Sequence, residues 1–380
     1  MIKVWAFDFN AIQGRQFPDS ANPHVLQTTF DRNLERLASL EGKGFEGVFF
    51  SEHHFLDLPC PCPNLLVAAL SKMSKKIKIG VMGNVLAFHQ PWRLVEEIGM
   101  LDYITGGRLE IGVAAGVPPE FAFVGIAPGD VRAMYEEMLD YLDKAFVDPA
   151  VSHHGKFWNV DDIPVFPKMR PEARRRKWMT VFSAGSAIAG ARRGYKICTA
   201  YQATDDVTRV FDAYREAARE TGWTAGPDDL GLRRQVLICE TNSQAHDLEQ
   251  ELIETAKARM VASFAKVQSR VQQGSLGGMS EGVRQTGVMD AAAPQRGPES
   301  KAGVGAVNKM VSIEDEHISG TPGRVVEKII DQCRRTGTGN FLAYHAIGLE
   351  LDELDAHYRL WDQVIPSLAK ADVSAVEGTI

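Results

Sequence analysis

EGVFFSEHHFLDLPCPCPNLLVAALSKMSKKIKIGVMGNVLAFHQPWRLVEEIGMLDYITGGRLEIGVA, residues 46–114, alternates two hydrophobic periods. Short apolar runs at EGVFF (46–50), KIKIGVM (76–82) and RLEIGVA (108–114) read as strands. Between them, NLLVAALSKM (64–73) and PWRLVEEIGMLDYI (91–104) place apolar residues three and four apart, the spacing of one helix face, and Pro91 suits a first helical turn. Strands this rich in Val, Ile and Phe suit a parallel sheet covered by helices.

The same rhythm extends in both directions. KVWAFDF (3–9) and the helix at 24–44 precede the stretch, and the helix VRAMYEEMLDYLDKAF (131–146) closes a fourth strand–helix unit. After an irregular insertion at 151–176, strands are expected at 177–184, 195–200 and 232–240, each followed by a helix. Residues 272–311, dense in Gly, Ser, Ala and Met, break the rhythm as a lid loop would. A helix at 321–335, the strand NFLAYHAI (340–347) and a last helix at 351–368 follow. The total approaches eight strand–helix pairs, so the expected fold is α/β: one (β/α)₈ TIM barrel with insertions spanning 1–380, its chemistry at the strand C-termini. A doubly wound sheet loses ground because no GxGxxG follows the first strand and no Walker lysine loop occurs.

Composition narrows the function classes. The 380 residues are 44% hydrophobic and carry 42 basic against 49 acidic side chains, a net charge of −7 with no basic cluster, which argues against nucleic acid as partner. No apolar run approaches the roughly 20 residues of a membrane span. MIKVWAFDFN starts in an alternating pattern rather than a signal peptide, so a cytoplasmic protein is expected. Five scattered cysteines, Cys60 and Cys62 among them, make neither a disulfide framework nor a metal site.

Three segments carry candidate chemistry. Ser51, Glu52, His53, His54 and Phe55 end the second strand, where a barrel points polar residues into its mouth. Adjacent residues face opposite ways, so at most one of the two histidines looks straight into the cavity. Histidine can move a proton in either direction near neutrality; two loop-bound imidazoles are the ordinary alternative. Phe182, Ser183, Ala184, Gly185 and Ser186 form a strand-to-helix junction suited to a phosphate, with serine N-capping as the ordinary alternative. Gly83, with Met82 and Asn84, interrupts the third strand as a bulge or a close backbone approach to a ligand would. Metal catalysis is the weaker option: FDFN stands where barrel hydrolases often carry HxH, and His153 and His154 fall in what reads as a solvated loop.

With these motifs in view, the chain resembles the bacterial luciferase-like, flavin-dependent monooxygenase family, nearest in pattern to the luciferase α subunit. The likeness covers nearly the whole chain and is densest in GKGFEGVFFSEHHF, in residues 76–116 and in GTPGRVVEKIIDQCRRTGTGNFLAY. It implies a barrel that takes reduced FMN (FMNH2) and activates O2 as a flavin C4a-hydroperoxide to oxygenate an apolar or amphiphilic small organic molecule. It also implies a two-component system, with flavin supplied by a separate NAD(P)H:flavin reductase, and a homodimer. By resemblance His53 assists proton transfer, with Glu52 and His54 beside it. Ser183 and Ser186, with Ala184 and Gly185, meet the FMN phosphate, Met82–Gly83 is a non-prolyl cis peptide under the ring next to Asn84, and Glu120 and Phe55 lie on the substrate side. Two departures stand out: Ala114 and Ala115 replace a family Cys and a phosphate-binding Arg, leaving Arg192 or Arg193 as stand-ins by proximity in sequence, and the loop VPPEFAFVG (117–125) is one residue shorter than its family counterpart. An F420-dependent oxidoreductase on the same barrel, or a non-catalytic luciferase-like partner subunit, are the alternatives.

Overall fold

The computed structural model describes residues 1–16, 19, 22–55, 58–272 and 313–373. Of the expected lid loop at 272–311, all but Gln272 lies outside the described residues.

The strand–helix order follows the hydrophobic periods. β1 (Lys3–Asp8), α1 (Pro23–Lys43), β2 (Gly47–Phe50), α2 (Pro63–Met73), β3 (Lys78–Val85), α3 (Pro91–Ile104) and β4 (Leu109–Ala114) run in strict alternation. Then come α4 (Pro118–Val124), α5 (Pro128–Val147), β5 (Ala150–His154) and β6 (Asn159–Pro164). The alternation resumes with β7 (Lys177–Thr180), α6 (Ala184–Arg192), β8 (Lys196–Thr199), α7 (Thr204–Glu220), β9 (Leu230–Ile238) and α8 (Asn242–Gln272). It ends with β10 (His317–Gly320), α9 (Pro322–Thr336), β11 (Asn340–Tyr344) and α10 (Leu351–Leu368).

Parallel pairing runs β1–β2–β3–β4–β7–β8–β9–β11 and returns to β1, closing an eight-stranded (β/α)₈ barrel. Gln235 of β9 pairs with both Tyr344 and His317, so the short β10 lies on the β9 edge away from β11. Sequence reading missed β10, because four residues with two of them buried give no readable period.

The period-2 rule sorts the strand residues. Trp5 and Phe7 of β1, Phe49 of β2, Met82 of β3, Trp178 of β7, Cys198 of β8 and Leu342 and Tyr344 of β11 pack inside the barrel. Their neighbours Val4, Ala6, Val48, Phe50, Ile79 and Ile111 join the larger core under the helices. The interior has room for two indoles because Gly47 lacks a side chain: a Cβ there would lie 2.2 Å from the Trp5 ring.

The stretch 151–176 is more regular than its sequence indicates. β5 and β6 form an antiparallel hairpin, followed by a 3-10 turn at Pro171–Arg176. His153 is correspondingly buried, with Nε2 3.2 Å from Glu137 and its ring against Tyr141, whereas His154 stays exposed as expected. PPEFAFV, read as loop, is the short helix α4.

Candidate active site

The C-terminal ends of β1, β2, β3, β4, β7 and β9 gather the candidate side chains. β2 leads directly into Ser51–Phe55, and the two histidines diverge as adjacent positions must. His53 Nδ1 donates to Glu120 Oε1 at 2.8 Å, and its ring stacks on Phe9 at 5.8 Å with 27° between planes. Glu120 is 1% exposed and is delivered by α4, 67 residues further along. Its bond to Nδ1 leaves Nε2 as the imidazole nitrogen with no bond among the described residues. Glu120 Oε2 is itself buried without a partner among the described residues.

His54 turns the other way. Its Nε2 lies 3.0 Å from Glu52 Oε1, and its ring packs on Phe88 and Phe55. Glu52, 3% exposed, also takes His89 Nε2 at 3.0 Å and the Val85 amide at 3.1 Å. Burial, the largest influence on this carboxyl, works against its charge. The bonds from His54, His89 and Val85 outweigh burial and hold Glu52 below the usual carboxylate range. Burial likewise opposes the His89 cation, but Glu52 raises that imidazole above its ordinary value. His89, absent from the sequence-derived site, is the third member of this cluster; its position ahead of a helix-starting Pro91 was the available hint.

Between these groups β3 breaks register with β4 from Val81 to Asn84, and the Met82–Gly83 peptide is cis. A Cβ on Gly83 would sit 2.4 Å from the Val113 carbonyl carbon, so the two backbones touch there. Asn84 is buried, its amide nitrogen 2.9 Å from the Gly112 carbonyl.

Across the mouth, Ser183 caps α6. Its Oγ accepts from Ser186 N–H at 3.3 Å, and the two hydroxyls lie 3.1 Å apart. Ser183, Ala184 and Gly185 are exposed, so the first amides of α6 face solvent with the positive end of the helix dipole. Thr180, in line with the inward Trp178, adds a buried hydroxyl with no partner among the described residues. Arg192 and Arg193 do not serve this end. They close the opposite terminus of α6, where Arg193 pairs with Asp140 at 2.6 Å and Asp143 at 2.7 Å and Arg192 faces Glu220. Arg192 is the last residue of α6 and Arg193 its C-cap, about two turns along the helix from Ala184.

Backbone strain collects on the same side. Among the described residues, four non-glycine residues have positive φ, and three of them, Asn10, Phe55 and Tyr201, follow β1, β2 and β8.

The family model for luciferase-like monooxygenases matches residues 11–339. The chain belongs to the luciferase-like monooxygenase family. One similar protein is 4-hydroxyprotoasukamycin monooxygenase of Streptomyces nodosus subsp. asukaensis, 26% identical over 57% of this chain and 61% of its own length. The chain spans about 60% of the length of the curated relatives it matches first. Among solved structures, the oxygenating constituent of 3,6-diketocamphane monooxygenase from Pseudomonas putida, in complex with FMN, superposes with a TM-score of 0.69 at 20% identity, over 97% of this chain and 98% of that one. An F420-dependent secondary alcohol dehydrogenase gives 0.68 at 13% identity, over 97% and 99%. At these identities the structures share the fold. In this luciferase-like chain no described helix is long and apolar enough to cross a membrane. Among the described residues no group of three His, Cys, Asp or Glu side chains is arranged to hold a metal.

Proposed function

We propose that this luciferase-like protein is the oxygenating component of a two-component system that uses reduced FMN and O2 to oxygenate an apolar or amphiphilic organic molecule. The observation that carries the reading is the His53–Glu120 pair, 2.8 Å apart with the carboxyl buried and the imidazole partly open, at the same barrel end as the open α6 N-terminus. Bound there, FMN would place its phosphate against Ser183, Ser186 and the Ala184 and Gly185 amides. The unpartnered Thr180 hydroxyl and the side-chain-free contact at Gly83 suit the remainder. Reduced flavin would supply the electrons that activate O2 at its C4a carbon; the protein supplies position, protons and dryness.

Glu120 holds Nδ1 and thereby fixes the His53 tautomer, so Nε2 gives or takes a proton at the reacting centre. Phe9 and Phe88 back the two imidazoles and limit water. With neither Arg192 nor Arg193 at the phosphate end and Ala115 in place of the family arginine, the groups that would hold the phosphate among the described residues are helix amides and hydroxyls. Weak retention of that kind agrees with flavin delivered by a separate NAD(P)H:flavin reductase.

The test is single-turnover oxidation of pre-reduced FMN with the purified chain. A transient absorbing in the near-UV that lives longer with protein than without is the expected result; free-solution kinetics would overturn the reading. Shared architecture with an F420 enzyme keeps hydride transfer as the second reading, and selective thermal stabilisation by F420 over FMN would install it. We also propose a homodimer that covers Leu65, Trp92, Met100 and Tyr103, exposed on the neighbouring helices α2 and α3. Light scattering should then give about twice the chain mass of 41.9 kDa.

A further inference from the structure

Beside the His53 pair the barrel mouth holds a cation that the proposed chemistry does not use. Arg233 points inward from β9 and is 8% exposed. Its guanidinium carbon lies 4.4 Å from the centre of the Phe7 ring, 4.7 Å from Tyr201, 5.6 Å from Tyr344 and 5.8 Å from Phe9. Among the described residues its buried Nε has no hydrogen-bond partner and no carboxylate lies within ion-pair distance of it. Glu316, the carboxylate whose charge reaches Arg233, is already engaged. Its Oε2 takes Arg234 Nη1 at 2.9 Å and the Tyr201 amide at 2.7 Å, and its Oε1 takes the Tyr344 hydroxyl at 3.2 Å. Of the two buried guanidinium groups, only Arg234 pairs with this carboxylate.

A buried cation without its own counter-ion is costly and rare unless an anion joins it. Ring faces attract the cation but do not neutralise it, and a collar of four rings lowers the local dielectric, which strengthens the pull on an arriving anion. Phe9 forms a shared wall, stacking on His53 on one side and facing Arg233 on the other.

We propose that Arg233 is the anchor for a carboxylate-type oxyanion on an otherwise apolar or aromatic substrate, whose far end is then presented toward His53. The inference deepens the monooxygenase reading by naming the substrate class, yet it concerns binding alone and can be tested without flavin.

The experiment titrates the full flavin-free chain with benzoate and with benzamide, its neutral counterpart, by calorimetry. The wild type should bind benzoate about 10-fold or more tightly than benzamide, because only the charged oxygens pair with the guanidinium fork. Arg233→Met should erase the preference while leaving the ligand-free melting temperature unchanged or higher, since an uncompensated buried charge has gone. Arg233→Lys, which keeps the charge without the fork, should retain the preference at several-fold weaker affinity. Equal binding of the two probes by the wild type would overturn the proposal. So would a preference that survives Arg233→Met, which would place the anion elsewhere, such as at the α6 N-terminus. A large drop in melting temperature in Arg233→Met would also overturn it, by showing that the chain's own acid neutralises Arg233. Failure of oxygenation with benzoate bound normally would count against the monooxygenase reading and not against this one.

Discussion

Two histidine clusters flank β1 and differ in what surrounds them. At the barrel mouth, His53, His54 and His89 each touch a buried carboxylate, Glu120 or Glu52. Behind the barrel, His345 and His357 lie between β11, β9 and α10 with Tyr358, Gln13, Trp361 and the Ile238 amide as partners. Burial, aided by the nearby Arg36 cation, pushes His345 down to about 4; burial, His345 and Arg36 push His357 down to about 3. The difference lies in burial and in the neighbour together. At His89, with a fifth of its side chain exposed, the bond to Glu52 outweighs burial and raises the imidazole. At the more deeply buried His345 and His357 burial dominates and the Arg36 cation adds to it.

The largest expected break in this contrast is His53→Ala. If the mouth cluster moves protons, product formation should fall about 10²–10⁴-fold, with peroxide accumulating instead, while the urea midpoint stays near wild type. Unchanged coupling would reduce His53 to scaffolding. Glu52→Ala should act on the fold, because it strips three donors of one buried acceptor. A loss of about 3–5 kcal/mol in denaturant unfolding is expected, and a loss below 1 kcal/mol would show the cluster to be dispensable.

Acid separates the two clusters by sign. The unfolded chain takes up protons on His345 and His357 sites near pH 6.5, whereas the folded values are lower, so stability falls as pH drops below about 6.5. Each histidine contributes up to about 1.4 kcal/mol per pH unit in that window. His357→Gln should lose less stability between pH 7 and 5 than the wild type does; equal losses would mean the acid sensitivity lies elsewhere. His89 behaves the other way. Its folded value is raised, so its bond to Glu52 is fully present below about pH 6.5 and fades as pH rises through the folded value. The smallest effect is therefore His89→Gln, costing about 1–2 kcal/mol at pH 6 and measurably less at pH 9. A pH-independent difference would show that the bond does not depend on the imidazolium.

Legibility in the sequence tracked the range of the interactions. Strand and helix order at 46–114, the serine-capped α6 and the bulge at Gly83 were all readable, because each is written in neighbouring residues. His153 was misread as solvated, since alternate burial in a five-residue hairpin strand is too short a pattern to separate from a loop. Arg192 and Arg193 were misplaced because proximity in sequence says nothing about which end of a helix a side chain serves.

Local periodicity, turn chemistry and the ordered family motifs determined the barrel, the EHHF end of β2 and the serine cap of α6. Only closure of the sheet decided that Glu120 reaches His53, that Glu52 is shared with His89, and that Arg233 is left with aromatic faces in place of an acid. Strand spacing is a property of a few adjacent residues, whereas the neighbours at a barrel mouth are set by register and tilt summed over all eight strands.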